Sequence, residues 1–299
     1  MPRPRRNTNP EYIRLVTIRT ENSYLYMVPD KELNEIVGGV IAKYQQEQEV
    51  IVYGYIFLSN HYHLLVRAPK ENLWRFEQSV NREIAKRVNR LRNREGHFWG
   101  RRYDEQITVE PSDTLAALMY VIFNAVKHGL VKDPHSWPGI SCLRHLITGK
   151  DREFYFTDYT SYRKAKLSDK KACIDDFKKK YILKISTIPI LAKLSHKQRL
   201  QYLRKEIQKE LLKYDPQKFL ETEKIINQNP FSRPRDISRS NRPVCYTKSF
   251  ITKMWFIKEV YTPWREWFEQ ASRSYRSGEL EVEFPPHSIK PSLLYSIAV

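Results

Sequence analysis

Apolar and polar positions alternate in two rhythms over the first half of the chain. Tyr12 to Thr20 is rich in β-branched and aromatic residues and predicts a strand. Asp30 is placed to cap a helix running to about Gln48, with Leu33, Ile36, Val37, Val40, Ile41 and Tyr44 at helical spacing. Val50 to Leu58 and Leu64 to Val66 predict two strands joined at Ser59-Asn60. A second helix is predicted from about Asn72 to Arg94, its apolar stripe being Leu73, Phe76, Val80, Ile84, Val88 and Leu91. A strand from Tyr103 to Val109 follows. Then Ser112 or Asp113 is expected to cap a helix that ends at Gly129. The order β-α-β-β-α-β-α closes most simply as an α+β fold, a ferredoxin-like antiparallel sheet with packed helices.

After about residue 150 the pattern changes, and the boundary divides the chain into residues 1–150 and 151–299. Lys-rich helices are expected over Ser168–Tyr181, His196–Tyr214 and Pro216–Asn227. Residues 229–243 form a Pro/Arg/Ser segment without regular pattern, and Ser249 to Arg276 predicts an aromatic-bearing helix kinked at Pro263. The second half is thus a basic, mainly helical extension whose aromatics read as core before they read as stacking platforms.

Charge sharpens the picture. Lys and Arg number 52 against 34 Asp and Glu, a net +18, which favours a polyanionic partner, nucleic acid before membrane. Cys142, Cys173 and Cys245 stand apart, as free thiols in a reducing compartment do. Met1 to Arg6 is basic without a following apolar run, so it does not read as a signal peptide, and no stretch is long and apolar enough to span a bilayer. The expected location is the cytoplasm, associated with the nucleoid.

Candidate chemistry centres on His61 and His63. Two residues apart on a strand, they share one face and make half of a divalent-metal site. On the later helix Tyr120 and Asn124 stand one turn apart. The Asn124 amide oxygen can supply a third, hard ligand, and Tyr120 can reach a phosphate bound to the same ion. Mixed imidazole and amide donors suit Mg²⁺ or Mn²⁺, and zinc ranks lower because no thiolate or third histidine stands nearby in sequence. Arg82, Lys86 and Arg90 form a basic row on the second helix, either a solvated face or a set of phosphate contacts.

Three stretches resemble, in the right order, the single-tyrosine HUH transposases of the smallest bacterial insertion sequences. The closer likeness is to their relatives associated with repetitive extragenic palindromes. Asn60-His61-Tyr62-His63-Leu64-Leu65 resembles the HUH strand, and Gly96 to Tyr103 the Gly-His-x-Trp-x-x-Arg segment. Tyr120 to Val131 resembles the Tyr-x-x-x-Asn helix with its Gly-Leu-Val turn. The resemblance covers residues 10 to 150. It implies an HUH fold, with His61, His63 and Asn124 as ligands of Mg²⁺ or Mn²⁺ and Tyr120 as the nucleophile. It implies a DNA transposase that nicks single-stranded DNA through a 5′-phosphotyrosine and transfers strands at hairpins. Tyr62, in the middle of the triplet, is expected to point into the core. Arg102 and Lys127 join Arg82, Lys86 and Arg90 as expected DNA contacts. The alternative is a domesticated binder of hairpin repeats that cuts little, and a replication initiator is disfavoured by the short chain. Relatives include dimers and monomers, so a homodimer stays open.

Overall fold

The computed structural model describes residues 6–214, 219–234 and 243–291. Its first half runs β1 (Arg14–Arg19), α1 (Lys31–Gln48), β2 (Ile51–Phe57), β3 (His61–Arg67), α2 (Leu73–Leu91) and β4 (Asp104–Thr108). Then come α3 (Pro111–Ile122), the single turn α4 (Asn124–Lys127) and α5 (Leu143–Thr148). The second half contains β5 (Arg152–Thr157), α6 (Tyr159–Ser168), β6 (Lys178–Leu183), α7 (His196–Leu211), α8 (Thr222–Ile226), β7 (Cys245–Tyr246), α9 (Phe250–Trp255) and α10 (Thr262–Arg276).

The main sheet has the order β2-β3-β1-β4-β7, antiparallel except where β7 joins β4. Its first four strands have the ferredoxin-like arrangement that the sequence pattern implies. Two registers fix the chemistry: Thr17 lies opposite His63, and Arg19 opposite His61. Strand alternation therefore puts all four on one face and sends Tyr62 and Ile18 to the other. On that other face, α2 buries Leu73, Phe76, Val80, Ile84 and Val88, each contributing roughly 1.5–3 kcal/mol of burial. Tyr62 is fully buried there, and its hydroxyl lies 2.7 Å from Glu77 Oε2 and 2.8 Å from Asn81 Oδ1. The face that carries the histidines is covered by α3: Leu118 and Val121 lie against Gly54 of β2.

Helix termini mostly follow local chemistry. Asp30 Oδ1 accepts the Leu33 N–H at 2.7 Å, so α1 begins where expected. The α3 start differs from expectation. Its N-cap is Glu110, not Ser112 or Asp113, because Pro111 occupies the first turn and the Asp113 carboxylate reaches back to the Glu110 N–H at 3.1 Å. The helix is also divided at Phe123 (φ −89, ψ 4), so Tyr120 and Asn124 lie on either side of a break.

The region after residue 150 is helical in large part but carries a hairpin that the sequence pattern hid. The helix expected over 168–181 is instead a turn leading into β6, which pairs with β5. Three lysines at 178–180 suggested a helical face, yet Tyr181 and Leu183 alternate into the core. The hairpin packs on α1 so closely that a Cβ on Gly39 would lie 2.6 Å from the Tyr155 carbonyl oxygen. Of the helix expected over 216–227 only Thr222–Ile226 forms among the described residues; Pro216 lies outside them. Of the Pro/Arg segment, Arg235, Arg239 and Arg242 likewise lie outside. The helix is not broken at Pro263: it runs without interruption from Phe250 to Arg276, and Pro263 sits in the first turn of α10 directly after a π-helical segment, Phe256–Tyr261. No helix among the described residues is long and apolar enough to cross a membrane.

Candidate active site

β3, α3 and α4 bring His61, His63, Tyr120 and Asn124 together. The two imidazole centroids are 5.1 Å apart, and the Tyr120 ring lies 5.1 Å from His63. Each histidine is anchored through Nδ1. Asn60 Oδ1 stands 2.6 Å from that of His61, and Thr17 Oγ1 stands 2.7 Å from that of His63. With an amide oxygen facing His61 Nδ1, the ring proton sits there and the Nε2 lone pair is left free. Both Nε2 atoms are buried without a hydrogen-bond partner among the described residues, and so are both polar atoms of the Asn124 amide.

Charge favours a ligand here. Burial drives the His61 imidazole far below its usual range, and neighbouring His63, Arg19 and His128 push the same way; contact with the Asn124 amide opposes them weakly. His63 is pushed down to about 3 by burial first, then by His128, Arg19 and Lys127. Both rings are therefore neutral, the form that binds metals. Burial raises the Tyr120 hydroxyl, while Asn124 and Arg19 pull it back. Asn124 thus lies against both the His61 ring and the Tyr120 hydroxyl without a hydrogen bond of standard geometry.

Among the described residues no group of three or more His, Cys, Asp or Glu could hold a metal ion, so a metal here depends on an amide as third donor. Two anchored imidazoles with free lone pairs and an unpaired carboxamide fit a divalent metal ion. The unpaired buried atoms are the reason: each is costly unless something pairs with it.

The remaining sequence-chosen residues separate into two groups. Lys127 joins the cluster, its Nζ 4.8 Å from the Tyr120 ring centroid. Arg82, Lys86 and Arg90 are exposed on α2, across the sheet from Tyr120. Lys86 and Arg90 line a cleft with Lys43 and Arg163, and Arg90 lies over the Tyr159 ring. Arg102 is exposed at a cavity on that same far side.

Several neighbours of the site carry no motif spacing of their own. Thr17 and Arg19 were findable by alternation along β1, since they face the same way as the histidines once the strands pair. His128, whose ring is 5.7 Å from that of His61, follows Asn124 by one helical turn. Tyr246, 5.9 Å from Tyr120 between ring centroids, arrives on β7 from far along the chain, and no local pattern marks it.

A ferredoxin-like sheet carrying an imidazole pair beside a helix-borne tyrosine defines the class to which the sequence motifs pointed. Residues 13–121, about a third of the chain, match the family described as IS200-like transposases. A Haemophilus influenzae protein, provisionally described as a REP-associated tyrosine transposase, is 29% identical over 100 residues, covering 30% of this chain and 57% of that protein. The chain thus spans little more than half the length of that relative. Among solved structures, a REP-associated tyrosine transposase bound to a REP hairpin is 21% identical, covering 49% of this chain and 86% of that one, with a TM-score of 0.42. A provisionally described transposase from Deinococcus radiodurans R1 is 17% identical, covering 38% and 88%, with a TM-score of 0.29.

Proposed function

We propose that this protein is a transposase that nicks and rejoins single-stranded DNA at hairpin sequences, with Tyr120 as nucleophile. The observation that carries the reading is the convergence of three unpaired donors, His61 Nε2, His63 Nε2 and the Asn124 amide, beside the Tyr120 ring. The IS200-like match over residues 13–121, which contains both histidines and Tyr120, supports it. Residues 1–150 are read as the catalytic unit and 151–299 as an extension built onto it, since β7 extends the same sheet.

His61, His63 and Asn124 would hold the ion, and Thr17 and Asn60 orient the rings. When bound, Mg²⁺ or Mn²⁺ supplies positive charge to the non-bridging oxygens of a phosphodiester. Arg19 adds a fixed positive charge that favours the phenolate of Tyr120. The Tyr120 oxygen loses its proton and attacks phosphorus, and the bond from phosphorus to the 3′ oxygen breaks. That oxygen takes up a proton and leaves as a free 3′-hydroxyl, with the 5′-phosphate linked to the tyrosine. Another 3′-hydroxyl reverses the exchange and joins strands without ATP, because the phosphotyrosine keeps the energy of the original bond. Phosphate contact from Lys127 fits its position over the Tyr120 ring.

The test is incubation with a hairpin single strand and Mn²⁺, followed by denaturing electrophoresis. Wild type is expected to give protein-linked DNA and Tyr120→Phe none. An adduct that persists in Tyr120→Phe would remove the nucleophile from this account.

A further inference from the structure

An open cleft of about 1070 Å³ lies between α1, α2 and the segment that leads from β5 into α6. Among the described residues no member of the main sheet lines it, nor does any residue of the stripe that α2 packs on that sheet. Six cations line it, Lys43, Lys86, Arg87, Arg90, Arg94 and Arg163, against three carboxylates, Glu32, Glu83 and Asp158. Two of the carboxylates are already used. Glu83 pairs with Arg87 at 3.0 Å, and Asp158 accepts the Thr160 and Ser161 N–H groups, each at 3.0 Å. Arg94 is tied to the Tyr26 hydroxyl at 3.2 Å and the His97 carbonyl at 2.8 Å, and Lys43 stands 3.9 Å from Glu47. Lys86, Arg90 and Arg163 are exposed and have no ion pair or side-chain hydrogen bond among the described residues. Three unpaired cations thus face one remaining carboxylate, Glu32.

The rings of the cleft are closed to stacking. Lys43 and Arg87 lie over Phe156, 4.1 and 3.9 Å from its centroid, and Arg87 and Arg90 lie over Tyr159, at 5.2 and 4.8 Å. The cleft therefore presents charge and no base platform. Lys86 and Arg90 stand one turn apart on α2, and Arg163 reaches in from α6, so the charges suit a chain of anions more than a single one. Backbone contact without base contact is how duplex DNA is held regardless of sequence. Position separates this cleft from Tyr120: a helix layer and the sheet lie between them, each roughly 10 Å thick. A duplex, with a persistence length of about 50 nm, does not fold around so small an edge to reach both.

We propose that this cleft holds the phosphate backbone of a second DNA duplex, separate from the hairpin strand at Tyr120, so that one chain bridges two DNA segments. The inference rests on the proposed activity for the choice of DNA as the polyanion. One wall, with Phe156, Tyr159 and Arg163, lies outside residues 13–121. The extension builds the cleft by docking on α1, and the basic row of α2 serves this second duplex.

The test uses the full-length protein, a labelled blunt duplex without a hairpin, and an unlabelled hairpin single strand, with EDTA present to prevent cutting. Duplex binding is followed by fluorescence anisotropy, with the protein free and then saturated with hairpin. Wild type is expected to bind the duplex in both cases, the two affinities differing by less than about twofold, as independent sites require. Replacing three residues together, Lys86→Ala, Arg90→Ala and Arg163→Ala, is expected to make the slope of log affinity against log salt shallower by about 2.7, from about 0.9 per phosphate contact. Should that variant not fold, acetylation of wild type is expected to show Lys86 protected by the duplex and reactive with the hairpin alone. Lys86 left reactive under the duplex overturns the cleft. Displacement of the duplex by hairpin, or an unchanged slope in the triple variant, also overturns it; a Tyr120 adduct formed by wild type in Mn²⁺ then leaves the proposed activity standing. The expected slope change without any adduct removes that activity and upholds the duplex site. Tighter binding of polyglutamate than of the duplex assigns the cleft to an acidic protein and overturns the proposal.

Discussion

Glu77 offers a quantitative test of how the far face of the sheet is built. Its carboxyl is fully buried on α2, and burial raises it to about 7 against the opposing hydrogen bonds from Tyr62 and Asn81. In the unfolded chain it ionises near its ordinary value of 4.5. Between those two values the folded protein still holds a proton that the unfolded chain has released. Stability contributed by Glu77 is therefore fully present below about pH 4.5, falls as pH rises, and levels off above about pH 7. The full interval corresponds to about 3 kcal/mol, of which about 2 kcal/mol falls between roughly pH 5.5 and pH 8. Glu77→Gln cannot ionise and escapes this loss. Urea unfolding of both proteins at the two pH values isolates the effect, because other titrating groups cancel in the difference. The unfolding free energy of wild type relative to Glu77→Gln is expected to fall by about 2 kcal/mol from the acidic to the alkaline condition. Parallel behaviour, with the difference constant to within about 0.5 kcal/mol, would show that Glu77 is not held protonated and would refute the burial argument.

Three further outcomes follow from named contacts. His61→Ala is expected to abolish adduct formation while hairpin affinity changes by less than about twofold, well under the 1.4 kcal/mol that a tenfold loss represents; equal loss of both would make the histidine structural. Tyr246→Ala should slow adduct formation about tenfold by loosening the packing beside Tyr120, a misplacement effect. Tyr246→Phe should keep the rate, since the hydroxyl contact to Ala116 O is long at 3.4 Å; a slow Phe variant would contradict the packing explanation. Gly39→Ala forces a Cβ to 2.6 Å from the Tyr155 carbonyl and should cost about 1–3 kcal/mol in urea unfolding, with an unchanged midpoint counting against close docking of the β5–β6 hairpin on α1.

Much of the first half was legible because its signals are local. The β1–β4 strands, the α1 cap at Asp30 and the α2 stripe each depend on residues within one or two turns of each other. Tyr62 was readable as a core residue for the same reason, since alternation about His61 and His63 leaves it no other direction. Its partner Glu77 was not, because a carboxylate in an apolar stripe reads as a surface position until tertiary contacts are known. The β5–β6 hairpin was misread because three lysines masked a two-residue period that only packing on α1 reveals. Likewise β7 is two residues long and owes its existence to an open edge on β4, so no propensity window could find it. The site was half visible. His61, His63, Tyr120 and Asn124 carry motif spacing, whereas Thr17, Arg19 and Tyr246 reach it through strand register.

The most direct check on the central claim is to identify the residue that becomes attached to DNA. Wild-type protein, trapped with a hairpin single strand and Mn²⁺, would be digested and the modified peptide fragmented by mass spectrometry. A nucleotide is expected on Tyr120 and no linkage at Tyr62, Tyr103 or Tyr246. A nucleotide mapped to any of those three, with Tyr120 unmodified, would contradict it.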